Sequence, residues 1–307
     1  MIKASELLRF LGALAAGLAL LLLIVLRVTS CAPLKTHPAV TPADRQVAQV
    51  RAERPDCRAA GWTSAAAINA ASLRTLAWAP FGRQEQGWEI YAPMIQHEIG
   101  SRCPPDSEAF AQALAAWQQA RGVTADGLVT ETGFAGLKGE AQSRRDFVRF
   151  TSGGTCPDPA DEIAQARPEE GYGGKAILLR PGALAAYRRM AAAARAEDPR
   201  IGQDPDDLKI FSGYRSPTLD AQRCETEGNC NGVVRARCSA HRTGLAIDVY
   251  VGHAPGYGPD SSADPNRLAM TRTPAYQWLL ANAARFGFVN YPFEPWHWEW
   301  TGEAPSP

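Results

Sequence analysis

Ser239-Ala-His-Arg-Thr-Gly-Leu-Ala-Ile-Asp248 and Glu294-Pro-Trp-His-Trp-Glu-Trp300 are the stretches on which the reading of this chain turns. His241 and Asp248 lie seven residues apart, with Gly244 between them to turn a loop into a strand. An imidazole on the loop and a carboxylate on the strand can then face one cleft. In the second stretch side chains alternate between sheet faces. That puts His297 and Glu299 on one face and three tryptophans on the other. Two imidazoles and one carboxylate are the ligand set of a catalytic Zn²⁺ site with a fourth position left for water. His241, Asp248 and His297 are therefore the candidate ligands of one Zn²⁺ ion. The same donor set also makes the facial triad of non-haem Fe(II) oxygenases.

Working outward, Leu208 to Phe211, Leu245 to Val251, Phe288 to Tyr291 and Trp296 to Trp300 read as strands, and Ala176 to Leu179 as a short one. Pro181 opens a helix that runs to about Glu197, and Thr273 to Phe286 forms another, stopped by Gly287. Helices interleaved with short, unequal strands point to an α+β domain rather than a doubly wound sheet. Upstream, Ser107 caps a helix carrying Phe110, Leu114 and Trp117 at helical spacing; Gly122 ends it, and Thr130 to Leu137 starts a second. Met94 to Gly100 reads as a further helix, and Trp62 to Trp78 as another.

The expected organisation is an anchor or signal over 1–31, a spacer over 32–60, a small all-α domain over 61–139, a connection over 140–174 and the α+β domain over 175–307. Lys3 and Arg9 precede an apolar run from Phe10 to Leu26, 17 residues long, near the lower limit for crossing a bilayer. Val28-Thr-Ser-Cys31 follows and resembles a bacterial lipobox, with Cys31 as the lipidated residue; the other reading is an uncleaved helix ending at Arg27. Both send the chain outward to a membrane-anchored place in the cell envelope. The seven cysteines agree: with Cys31 set aside, six remain for disulfides in an oxidising compartment. Cys224, Cys230 and Cys238 lack the Cys-x-x-Cys pairs of a zinc ribbon, so disulfides are expected there, in a pairing that spacing does not choose. A formal net charge of +0 offers nothing to nucleic acid.

Arg215, in Ser212-Gly-Tyr-Arg-Ser216, carries a planar fork suited to a carboxylate or to developing negative charge. Glu294 precedes His297 by three residues and can take a proton from a metal-activated water. Glu299 is the competing acid, two residues beyond His297. Ser239, Gln222 and Tyr214 are candidate hydrogen-bond partners for a substrate peptide.

Ser239-x-His241-x-x-Gly244-x-Ala246-x-Asp248, then Glu294-x-x-His297 among tryptophans, resembles the zinc D-Ala-D-Ala carboxypeptidase family of LAS-type metallopeptidases. Ser212 to Ser216 with Gln222, Trp278-Leu-Leu-x-Asn282 and Phe286-Gly-Phe288 extend the likeness over about 130 C-terminal residues. The resemblance implies a small antiparallel sheet with flanking helices, of the Hedgehog/D,D-peptidase type. It implies zinc on His241, Asp248 and His297, Glu294 as base and Arg215 at the transition state. The insertion from Glu225 to Arg237 departs from shorter members. Phe110 to Leu137 resembles half of a small helical peptidoglycan-binding domain, which implies glycan as a further partner. The function expected from the resemblance is removal of terminal D-Ala from peptidoglycan stem peptides. The alternatives are L,D- or D,D-endopeptidase cleavage within the stem and, in another class, a non-catalytic wall-binding lipoprotein.

Overall fold

The computed structural model describes residues 56–228 and 238–303. The expected anchor over 1–31, Cys31 and nearly all of the spacer lie outside the described residues. Among the described residues no helix is long and apolar enough to cross a membrane. The described residues fall in one compact unit, Pro55–Pro307.

The chain begins with helix α1 (Thr63–Ser72), the two-residue strands β1 (Ala77–Trp78) and β2 (Glu85–Gln86), and helices α2 (Ala92–Glu98), α3 (Glu108–Ala120), α4 (Glu131–Ser143) and α5 (Asp146–Thr151). Caps set the helix starts: Ser107 accepts from the Phe110 amide and Thr130 from the Gly133 amide. This region, expected to be all-α, also holds the β1–β2 antiparallel pair. Two residues per strand are too few to show an alternating pattern in sequence. The helix expected from Trp62 to Trp78 stops at Ser72, and its last two residues are β1.

Strand β3 (Ala164–Gln165) pairs with β4 (Leu178–Leu179), and α6 (Pro181–Glu197) follows. Next come β5 (Ile210–Ser212), α7 (Pro217–Glu227), a 3₁₀ turn (Ala240–Thr243) and β6 (Ala246–Val249). Helices α8 (Asp264–Thr271) and α9 (Pro274–Asn282), a second 3₁₀ turn (Ala283–Phe286), β7 (Phe288–Tyr291) and β8 (Glu294–Trp300) complete the order. The result is a mixed α and β fold with small antiparallel sheets. The largest sheet has the order β5-β6-β8-β7, every pair antiparallel.

Between β6 and β8, Ile247 faces Trp298 and Asp248 faces His297. Strand alternation divides these pairs between two faces. Ile247, Val249, Trp296 and Trp298 join Leu184, Tyr187 and Met190 of α6 and Tyr276 and Leu279 of α9 in one core. Asp248, His297 and Glu299 occupy the other face, and they too are buried. A second core collects Trp78, Trp88, Tyr91, Ile95, Phe110, Leu114, Phe134 and Leu137, with Leu268 of α8 packed against it.

Arg267 of α8 links the two. Its fully buried guanidinium lies 3.2 Å from Glu85 Oε1 and donates to the Phe293 carbonyl at 2.8 Å. It also donates to the Tyr91 hydroxyl and sits 4.1 Å from the Phe293 ring centroid. Two disulfides add covalent ties, Cys57–Cys103 and Cys156–Cys238, and Cys224 is disulfide-bonded as well. Arg267→Ala would strip the buried Glu85 carboxylate of its close cationic partner, leaving it the Tyr91 hydroxyl and Arg83 at 3.9 Å; breaking a buried pair in this way costs about 3–5 kcal/mol. Urea denaturation is expected to show that loss, and Arg267→Met combined with Glu85→Gln is expected to recover part of it.

Candidate metal centre

His241 sits in the 3₁₀ turn Ala240–Thr243, whose start is capped by Ser239 Oγ accepting from the His241 amide. Gly244 ends that turn at φ +69°, a left-handed conformation open to glycine, and Arg180 lies against it. The chain therefore reverses directly into β6, which carries Asp248. His241 Nδ1 lies 2.7 Å from the Gly213 carbonyl. A carbonyl only accepts, so Nδ1 carries the proton and Nε2 presents its lone pair. His241 Nε2 is 3.2 Å from Asp248 Oδ2.

His297 reaches the same carboxylate from β8, with Nδ1 2.9 Å from Asp248 Oδ1. Its Nε2 lies 3.1 Å from Glu299 Oε1. The imidazole centroids of His241 and His297 are 5.0 Å apart. One donor atom from each of His241, Asp248 and His297 falls within 4.8 Å of the others, all three residues being buried. Donors held at metal distances of about 2.0–2.2 Å in a tetrahedron stand roughly 3.4 Å apart. The donor types suit a divalent ion, and the Asp248–His297 and Asp248–His241 separations of 2.9 and 3.2 Å lie near that spacing.

The electrostatics agree. Burial, reinforced by the Arg215 charge, pushes the His241 imidazole below its ordinary pKa. Burial opposes charge on His297 too, but hydrogen bonds with Asp248 and Glu299 outweigh it and raise His297 to about 9. Burial alone would raise the Asp248 carboxyl; the charge and hydrogen bonds of the two imidazoles hold it well below the usual range. Glu299 is likewise buried, yet Arg145 and His297 hold it down to about 2.

A cavity of about 250 Å³ opens onto this cluster, and Arg215, Ser239, His241, Asp248, Glu294 and His297 all line it. Glu294 Oε2 is 3.9 Å from His297 Nδ1. Arg215 is held by three contacts: Nε to Asp220 Oδ1 at 2.7 Å, Nη1 to Ser212 Oγ at 2.7 Å and Nη2 to Ser239 Oγ at 3.1 Å. Its Nη1 is 3.8 Å from Asp248 Oδ2. Ser239 thus serves both the turn and the guanidinium. Gln222 is exposed, Tyr214 is half-buried, and neither is among the residues lining this cavity; Arg223 of α7 is. The reading of sequence missed Asp220, five residues after Arg215 in the first turn of a helix capped by Ser216. That cap signal was legible. It also missed Arg145, which lines the cavity from a position 154 residues before its partner Glu299.

Comparison with known proteins bears on the C-terminal part. Residues 176–303 match the family model VanY, described as D-alanyl-D-alanine carboxypeptidase. Among solved structures, a vancomycin-resistance D,D-pentapeptidase VanY variant in complex with Zn(II) shares 21% identity, with a TM-score of 0.31 over 48% of this chain and 83% of that one. The LD-carboxypeptidase LdcB, described with peptidoglycan recognition, shares 21% identity, with a TM-score of 0.30 over 48% of this chain and 67% of that one. No curated protein matches.

Gly213 supplies the acceptor that orients His241, and a Cβ there would lie 2.5 Å from the Leu178 carbonyl oxygen. Gly213→Ala is expected to cost about 1–3 kcal/mol through overpacking, read as a lowered midpoint in thermal denaturation.

Proposed function

We propose that this chain, whose residues 176–303 match the VanY family of D-alanyl-D-alanine carboxypeptidases, is a zinc-dependent peptidase that releases terminal D-Ala from peptidoglycan stem peptides. One observation carries the reading: His241, Asp248 and His297 converge at the floor of a cavity that Glu294 and Arg215 also line. His241, Asp248 and His297 hold the ion. A bound Zn²⁺ supplies Lewis acidity and a water acidic enough to ionise near neutral pH.

The chain's own groups supply the rest. Glu294, beside His297, accepts the proton of the attacking water and passes it to the leaving amine. Arg215 is fixed by Asp220 and presents its Nη ends beside Ser239 and Asp248. It shares the negative charge that develops on the attacked carbonyl, without reorganising at the moment of reaction. Ser239 completes that edge of the cleft. The depth of burial of the three ligands excludes bulk water from the donor side, which strengthens each of these interactions.

Stem peptides lie outside the cytosol, so this reading places the protein in the cell envelope. The disulfides Cys57–Cys103 and Cys156–Cys238 support an oxidising compartment. The segment over 1–31 would serve as anchor or export signal.

Full-length protein incubated with a stem pentapeptide and Zn²⁺ is expected to yield a product lighter by one D-Ala in mass spectrometry, and none after chelation. Glu294→Gln is expected to fold normally and lose roughly 10²–10⁴ in kcat, the range for removal of a general acid–base. Fragments cut within the stem would assign an endopeptidase instead. A Glu294→Gln variant as active as the wild type would remove Glu294 as the base, and stem binding without cleavage would support a wall-binding role.

A further inference from the structure

The match to known peptidases begins at residue 176, yet the metal centre receives a buried cation from outside that segment. Arg145 immediately precedes α5, at the end of the helical region. Its Nε donates to Glu299 Oε1 at 2.9 Å, Nη2 contacts the same oxygen, and Nη1 donates to Gln142 Oε1 at 2.7 Å. The guanidinium carbon lies 4.3 Å from the Tyr291 ring centroid. Glu299 Oε1 is also the atom 3.1 Å from His297 Nε2.

We propose that Arg145 is a positioning residue of the metal centre, acting on His297 through Glu299, so that the region before residue 176 completes the site. The proposal rests on the metal reading given under Proposed function. Were His297 to hold the ion through Nδ1, its proton would sit on Nε2 and point at Glu299. The orientation of that carboxylate then sets the orientation of the ring. Both neighbours of the carboxylate converge on Oε1, while Oε2 is buried with no hydrogen-bond partner among the described residues. Arg145 is thus the group that keeps Oε1, rather than Oε2, turned toward His297.

Stability alone is a weak reason for such a pair. Arg145 and Glu299 are both buried, and a buried ion pair often contributes no more than an apolar pair of similar volume. The same segment is tied to the site a second time, since Cys156 is bonded to Cys238, the neighbour of Ser239. Phe147, two residues after Arg145, lines the cavity with it.

The test uses the full chain with Arg145→Met and Arg145→Lys, the first keeping the apolar stem and the second keeping the charge. Zn²⁺ affinity is measured by competition with a chelator, the ligand field by the visible spectrum of Co²⁺-loaded protein, and catalysis by kcat and KM on a stem pentapeptide. Arg145→Met is expected to weaken Zn²⁺ binding about 10–100-fold, the usual effect of losing an outer-shell partner. Its Co²⁺ bands should shift and kcat fall with KM little changed, while Arg145→Lys should lie between Met and wild type. A folded Arg145→Met protein with wild-type affinity and spectrum would overturn the proposal. Failure of both variants to fold would overturn it as well, by assigning Arg145 to the fold. Absence of Zn²⁺ binding in the wild type would bring down the metal reading itself, which distinguishes the two failures.

Discussion

The pairing of Asp248 with His297 across β6 and β8 is the constraint on which the molecule depends. In an antiparallel ladder a slip of one residue moves every side chain to the opposite face. Here a slip of β6 would drive Asp248 into the core with Leu184 and Met190, and a slip of β8 would carry Trp298 to the cleft. The register is held from the apolar side, where Ile247 opposite Trp298 packs on α6 and α9. Apolar burial and the geometry of the candidate metal site are therefore two faces of one pairing.

The polar face of the sheet carries an unusual electrostatic load. Asp248, His297 and Glu299 are buried there, with Glu294 buried at the same cleft, and isolated buried charges are strongly unfavourable. Each charge on this face is met by another group. Asp248 lies between two imidazoles, with Arg215 close by, and Glu299 lies between His297 and Arg145. Arg215 is in turn committed to Asp220. The proposed cation would sit at the centre of this arrangement, between His241, Asp248 and His297.

Much of this was legible in local pattern. The Gly244 turn, the alternation through Trp296, His297 and Trp298, and the helix opened by Pro181 each express a short-range rule. β7 and α6 fall within the bounds read from composition and spacing. Other features had no local signal. Two-residue strands such as β1 and β2 cannot display a period. The pairing of Cys156 with Cys238 joins positions 82 residues apart, and nothing in cysteine spacing selects it. Arg145 is one arginine among many in the sequence, and its role is defined only when the helical region folds back over the polar face of the sheet. Gln222 and Tyr214 are the converse case. They adjoin Arg215 and Arg223 in sequence, but the cavity lining passes them by.

The central claim is that one Zn²⁺ ion sits between His241, Asp248 and His297. X-ray absorption fine structure at the zinc edge of protein loaded with one equivalent tests it most directly. The account predicts a first shell of nitrogen and oxygen at about 2.0–2.2 Å, with the outer-shell scattering of two imidazoles and no sulfur. A sulfur shell at about 2.3 Å, or scattering from fewer than two imidazoles, would contradict it.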